Sequence, residues 1–204
     1  MKICEIFPSI QGESSLVGVP MVFIRFTGCN LRCTYCDTKY AYDNGTELSK
    51  DEILQIIHDL PFKFVEITGG EPLLQEDVYP LIDELVKNYY VLLETNGSVS
   101  IEKVNRKVKI IMDIKTPGSG MCDKNYLDNL TYLKEFDEIK FVLTDKFDYE
   151  WAKEFLKIYK LKTKEILFSP AFGMLNATEL AQWIIKDGLS VRLNLQIHKY
   201  ISIK

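Results

Sequence analysis

The sequence predicts an α/β fold built on a parallel sheet. Short β-rich apolar runs alternate with segments whose apolar residues recur at helical spacing, and the pattern continues over most of the chain. Such alternation sets a helix between successive parallel strands, in right-handed crossovers. Glycine-rich and polar segments follow the strands directly, where parallel folds gather their chemistry. A chain of 204 residues, 47% hydrophobic and 26% charged, suits one domain over 1–204 with enough core to fold unaided.

The elements follow in order. Residues 2–18 precede the first core strand and are expected as an added strand or hairpin. Val22-Phe23-Ile24-Arg25-Phe26 reads as a strand leading into a cysteine loop. Residues 51–60 read as a helix, with Ile53, Leu54, Ile56, Ile57 and Leu60 on one broad face. Phe64-Val65-Glu66-Ile67-Thr68 is a strand that stops at Gly69-Gly70. Residues 78–88 are helical, with Leu81, Ile82, Leu85 and Val86 at i, i+3, i+4 spacing. Strands follow at 90–94, 108–115 and 138–143. A helix over 149–159 turns Trp151, Ala152, Phe155, Leu156 and Tyr159 inward. Residues 165–168 form another strand, and a helix carrying Leu180, Ala181, Ile184 and Ile185 precedes the last strand, 191–196. Periodicity does not decide whether such a sheet closes.

Composition excludes several functions. The net charge of −4 offers no basic footprint for nucleic acid. No apolar run approaches a membrane span, and Met1-Lys2-Ile3-Cys4-Glu5 has no apolar signal core. Five cysteines, an odd number, argue against a disulfide framework. Reduced thiols point to the cytoplasm.

Three of those cysteines stand in Gly28-Cys29-Asn30-Leu31-Arg32-Cys33-Thr34-Tyr35-Cys36-Asp37-Thr38. Zinc sites normally use four ligands in two pairs, and no second paired motif exists, since only Cys4 and Cys122 remain. Three thiolates so spaced can instead hold three irons of a [4Fe–4S] cube, leaving the fourth iron for a small molecule. A second motif, Thr68-Gly69-Gly70-Glu71-Pro72, follows a strand directly. Its glycines let a ligand approach the backbone and Glu71 adds a carboxylate; an ordinary strand-to-helix turn is the plainer alternative. Lys140 lies inside the apolar strand Ile139-Lys140-Phe141-Val142, where it needs a partner or a ligand. Of the two histidines, His58 falls on an amphipathic helix and is structural, whereas His198 near the end of the chain has the functional claim.

The cysteine spacing resembles the radical S-adenosylmethionine superfamily. That resemblance implies a partial (β/α)6 barrel with a short amino-terminal extension. It also implies that S-adenosylmethionine chelates the open iron and yields a 5′-deoxyadenosyl radical. Over its length, from Glu5-Ile6-Phe7-Pro8-Ser9-Ile10-Gln11-Gly12-Glu13 through Pro20 to Arg25 and 113–120 to Gln196-Ile197-His198-Lys199, the chain resembles the 7-carboxy-7-deazaguanine synthases. These contract 6-carboxy-5,6,7,8-tetrahydropterin to 7-carboxy-7-deazaguanine with loss of ammonia, and S-adenosylmethionine is regenerated. The resemblance implies cofactor contacts from Asp37, Thr68, Gly69, Gly70, Glu71, Glu94, Asn96, Lys115, Ser119, Lys140 and Ser169. It implies Mg²⁺ on Thr38, whose plainer role is a loop hydroxyl. Substrate contacts would come from Gln11, Glu13, Arg25, Gln196 and His198, the last two alternating on the final strand and facing the same way. The partners implied are the pterin, an electron donor such as flavodoxin or ferredoxin, and a second copy in a homodimer, with no nucleic acid or membrane.

Two positions depart from the family. Ser14 stands where glycine is common, and Gly118 where serine is common. The rival readings are a glycyl-radical-activating enzyme and a non-enzymatic iron–sulfur or zinc protein. Gln11-Gly12-Glu13 and the Gln196/His198 pair argue against the first. Iron and sulfide analysis with a test for 5′-deoxyadenosine separates the second.

Overall fold

The structure is a computed structural model and describes residues 1–203. The amino-terminal segment is a strand, β1 (Lys2–Ile10), antiparallel to β2 (Pro20–Phe26) on one side and to the two-residue β3 (Thr46–Glu47) on the other. From β2 onward the sheet is parallel: β4 (Phe64–Gly69), β5 (Tyr90–Thr95), β6 (Lys109–Asp113), β7 (Glu138–Leu143), β8 (Glu165–Pro170) and β9 (Arg192–Leu193). Each lies beside its predecessor, and the sheet edges are β3 and β9. The crossovers carry α1 (Lys50–His58), α2 (Val78–Leu85), α3 (Asn129–Tyr132), α4 (Lys146–Ile158) and α5 (Ala177–Asp187); α6 (Ile197–Tyr200) ends the described chain.

Local chemistry sets the helix ends. Ser49 and Glu52 cap α1 reciprocally, each side chain bonding the other's backbone N–H. Asp145 accepts from Asp148 N, so α4 starts at Lys146 and not at the expected 149. His58 ends α1 with its side chain exposed.

Strand alternation then divides the side chains between two faces. Ile24, Ile67, Leu93, Phe141 and Phe168 pack against the helices, with Ile53, Leu81, Leu85, Tyr149, Phe155 and Leu180. Each such burial contributes roughly 1.5–3 kcal/mol. On the other face Met21, Phe23, Leu92 and Ile111 form a separate small cluster. Further along the same strands this face carries Arg25, Glu66, Thr68, Glu94, Asp113 and Lys140. An apolar floor thus lies beneath a charged layer at the carboxyl ends.

The last strand is a correction. Only Arg192 and Leu193 pair, not 191–196. Asn194 N donates to Phe168 O at 2.9 Å, then the chain turns off the sheet and Ile197 N donates to Gly12 O at 2.9 Å. Gln196 immediately precedes α6 and His198 lies within it, so the two do not alternate on a strand. Tertiary bonds to the amino-terminal loop outweigh the weak β-propensity there.

The two departures have local accounts. Ser14 is buried and holds φ at 62°, a region natural to glycine that costs another residue roughly 1–3 kcal/mol. Its hydroxyl accepts from Leu16 N at 3.1 Å, which offsets part of that cost. A side chain at Gly118 would run into Thr144 Oγ1 and Asp148 Oδ2, while Gly118 N donates to Asp148 Oδ1 at 2.8 Å. Serine does not fit there unless Asp148 moves.

Candidate active site

The loop after β2 brings the three cysteines to a cleft of about 650 Å³ at the carboxyl ends of the strands. Backbone bonds hold this loop. Glu71 N donates to Gly28 O at 2.7 Å, Thr34 N to Ser119 O at 3.0 Å, and Thr34 Oγ1 to Gly118 O at 2.7 Å. A side chain at Gly70 would strike Gly28 O and Cys29 Cβ, so the second glycine is needed for packing against the cysteine loop. Cys29, Cys33 and Cys36 are all half-buried and line the cleft. Cys29 Sγ accepts from Leu31 N at 3.4 Å and Asn96 Nδ2 at 3.7 Å. Burial pushes the Cys33 thiol up; Lys115 opposes this, and Asp113, Cys29 and Cys36 add to it.

These thiols are near enough to feel one another's charge. Yet among the described residues no three His, Cys, Asp or Glu side chains gather closely enough to hold one metal ion.

Thr68, Gly69 and Gly70 line the cleft, but Glu71 does not. Its side chain is fully buried. Its carboxyl oxygens accept from Leu73 N at 3.1 Å, Asn96 N at 2.7 Å and Thr95 Oγ1 at 3.0 Å. Burial pushes its carboxyl up to about 7, although those donors favour the charged form. In this structure the Glu71 carboxyl ties the ends of β4 and β5 together. Glu71→Ala should cost about 3 kcal/mol of stability by urea unfolding, because it strands buried donors. Glu71→Gln should also destabilise, since its amide would set an N–H against an N–H. Unchanged stability of both variants would remove this role.

The charged layer is closely paired. Lys140 Nζ lies 2.9 Å from Glu13, 3.4 Å from Asp113 and 3.5 Å from Glu94. Burial alone would push this lysine down, but Asp113, Glu13 and Glu94 together hold it well above the ordinary value. Lys115 Nζ sits 2.6 Å from Asp113 Oδ2. Gln196 Nε2 donates to Glu13 Oε1 at 2.7 Å, and Gln11 Oε1 accepts from Glu13 N at 2.8 Å. The Gln11 amide also donates to Glu66. Arg25 Nε pairs with Glu5 at 2.9 Å and its guanidinium lies over the rings of Phe7 and Tyr40. At the mouth Asp37 pairs with Lys199 and accepts from Thr38 Oγ1 at 2.9 Å. A side chain at Gly12 would overlap His198, whose imidazole is pushed down by burial, against the raising effect of Glu13.

The structure thus brings most of the expected residues to one cleft: Gln11, Glu13, Arg25, the three cysteines, Asp37, Thr38, Thr68, Gly69, Gly70, Glu94, Asn96, Lys115, Lys140, Gln196 and His198. Ser119 and Ser169, like Glu71, do not line it. Ser119 Oγ donates to Thr116 O at 2.6 Å within its turn. Ser169 is buried on β8 and accepts from Asn194 Nδ2 at 2.8 Å. Glu66 and Asp113 line the cleft and were not among the expected ligands. Glu66 carries the signal that singled out Lys140, a charge inside an apolar strand.

Comparison with known proteins agrees with this geometry. A family model described as the Radical SAM superfamily matches residues 23–116. A 7-carboxy-7-deazaguanine synthase of Koribacter versatilis is 44% identical, over 98% of this chain and 96% of that protein. Another, of Chlorobaculum tepidum, is 43% identical over 98% of this chain and 94% of its own. Among solved structures, QueE from Escherichia coli superposes with a TM-score of 0.77 at 26% identity, covering 95% of this chain and 92% of that one.

Proposed function

The chain belongs to the 7-carboxy-7-deazaguanine synthases, radical S-adenosylmethionine enzymes, and on that premise we propose how its cleft divides the work. The reaction is the ring contraction of 6-carboxy-5,6,7,8-tetrahydropterin to 7-carboxy-7-deazaguanine with loss of ammonia. Cys29, Cys33 and Cys36 would hold the [4Fe–4S] cluster, which with S-adenosylmethionine would supply the radical chemistry on the pterin. The observation that carries this assignment is the meeting of three half-buried thiols and a buried cation–carboxylate layer in one cleft.

Gly69 and Gly70 lie against the cysteine loop, and their backbone, not the Glu71 carboxylate, faces the cofactor. Asn96 and Lys115 flank the thiols on the same wall. Arg25, oriented by Glu5, has guanidinium donors left for the substrate carboxylate. Glu13 is held in place by Lys140 and Gln196, and so presents acceptors to the amino edge of the pterin. His198, neutral and packed on Gly12, closes that end.

Thr38 is the Mg²⁺ ligand in this reading, with the substrate carboxylate supplying further oxygens. Its hydroxyl points to Asp37, itself tied to Lys199, so the loop is braced where the cation would sit. A flavodoxin or ferredoxin delivers the electron, the enzyme works as a homodimer, and the cytoplasm is its compartment. Among the described residues no helix is long and apolar enough to cross a membrane.

The test is an anaerobic assay of the reconstituted protein with the pterin, reading product by absorbance and mass. Product should accumulate over many turnovers without matching consumption of S-adenosylmethionine. Stoichiometric consumption with no deazaguanine would overturn the reading. Thr38→Ala should keep cluster and cofactor binding but lose most turnover and its Mg²⁺ response, since orientation of the substrate contributes several kcal/mol, on the order of a hundredfold or more in rate. Full Mg²⁺-stimulated turnover in that variant would take the metal away from Thr38.

A further inference from the structure

Five carboxyl groups line the cleft: Glu13, Asp37, Glu66, Glu94 and Asp113. Four are ion-paired, Asp37 with Lys199 and the others with Lys140. Glu66 is the exception among the described residues. It is 1% exposed, and its hydrogen-bond partner is the Gln11 amide. The groups facing it are Glu13 from the amino-terminal loop, Arg25 from β2, Glu94 from β5 and Lys140 from β7. Burial drives its carboxyl well above the ordinary range; Glu94 and Glu13 add to that, and Lys140 and Arg25 oppose it. An unpaired buried carboxyl keeps its proton, because the charged form has lost its water without gaining a cation.

The reaction needs such a proton. A ring contraction that ends in loss of ammonia passes through a contracted ring still bearing an amine beside a C–H bond. Expelling the amine requires one proton in and releases another. On the reading that the pterin is the substrate, we propose that Glu66 gives the departing nitrogen its proton and then takes up the ring proton. The C–N bond breaks with its electron pair going to nitrogen, which takes the Glu66 proton and leaves as ammonia. The neighbouring C–H proton passes to the resulting carboxylate, and its electron pair forms the ring double bond. Glu66 ends as it began, and no oxidant or reductant is consumed. The Gln11 amide holds one of the Glu66 carboxyl oxygens, Oε2.

The test uses the reconstituted holoenzyme and pterin deuterated at C6, following deuterium transfer into S-adenosylmethionine, pterin binding and ammonia release. Glu66→Gln keeps the shape and still accepts from Gln11, but has no proton to give. It should bind the pterin within about threefold of native and retain deuterium transfer. Ammonia release should fall about a hundredfold or more, the scale of general acid–base catalysis, while an amine-bearing isomer of the substrate accumulates. Glu66→Asp, which keeps the proton, should restore most of the release. Native ammonia release in Glu66→Gln would overturn the proposal. So would loss of pterin binding and deuterium transfer together, which would make Glu66 a substrate ligand. If the native enzyme itself transfers no deuterium from the pterin, the substrate reading fails, and the proposal with it.

Discussion

A Cys33→Ala protein is expected to fold and to have no turnover at all. Two remaining thiolates cannot hold a cube that leaves one iron open, so the cluster is lost and with it the radical. The loop itself should survive. Its fixings are backbone bonds, Thr34 N to Ser119 O at 3.0 Å and Cys36 N to Cys33 O at 3.2 Å, and none uses the Cys33 sulfur. The thiol is half-buried, so truncating it opens no large cavity. Iron and sulfide per chain should fall to background, and 5′-deoxyadenosine should be undetectable, while the unfolding midpoint of the metal-free protein stays within about 0.5 kcal/mol of native. Cys122→Ala serves as the control and should retain both cluster and product. Product from the Cys33→Ala protein would remove this residue from the cluster.

The second large effect concerns stability. Lys140→Met removes the one cation among the described residues that lies within 4 Å of Glu13, Glu94 and Asp113 together. The methionine fills the space but leaves buried carboxyls with far less compensation, and breaking such a set costs about 3–5 kcal/mol. Asp113 retains Lys115, which places the effect toward the lower end. The loss should depend on pH with a definite sign. In the variant Glu94, which burial already holds above its ordinary value, loses the cation that opposes that shift, so stability is greatest at low pH and falls as this carboxyl ionises. In the native protein Lys140 is raised above the ordinary lysine value, so its contribution holds across the acid and neutral range and fades only in strong alkali. The gap between the two should therefore narrow as pH drops from about 7 to about 5, read by urea unfolding of the metal-free proteins. Equal stability at pH 7 would show that these carboxyls do not depend on Lys140.

Much of this was legible in the residues themselves. Alternation along β4 puts Val65 and Ile67 on one face and Glu66 and Thr68 on the other, and the same parity applies to β2, β5, β6 and β7. The division between helix-packed core and cleft follows from that period of two. The three-cysteine spacing is equally local, because all three ligands belong to one short loop.

What the residues could not show was which polar atoms already had partners. Glu71, directly after the two glycines, looks like a ligand in one dimension, yet it is filled by donors from β5 and its own turn. Ser119 and Ser169 are spent in the same way, on a local carbonyl and on Asn194. Glu66 shows the reverse, a charge whose lack of a counter-ion is visible only once every neighbouring strand is placed. Gln196 and His198 reach the cleft by a turn off the sheet that depends on Gly12, far away in the chain.

By itself, then, the sequence determined the strand and helix periods, the cysteine loop and the face on which the charges lie, since each depends on neighbours along the chain. The tertiary structure alone decided which carboxyls are paired, which are consumed in holding the scaffold and which is left without a counter-ion. Hydrogen bonds and ion pairs are formed across strands, and partners distant in sequence set their strength.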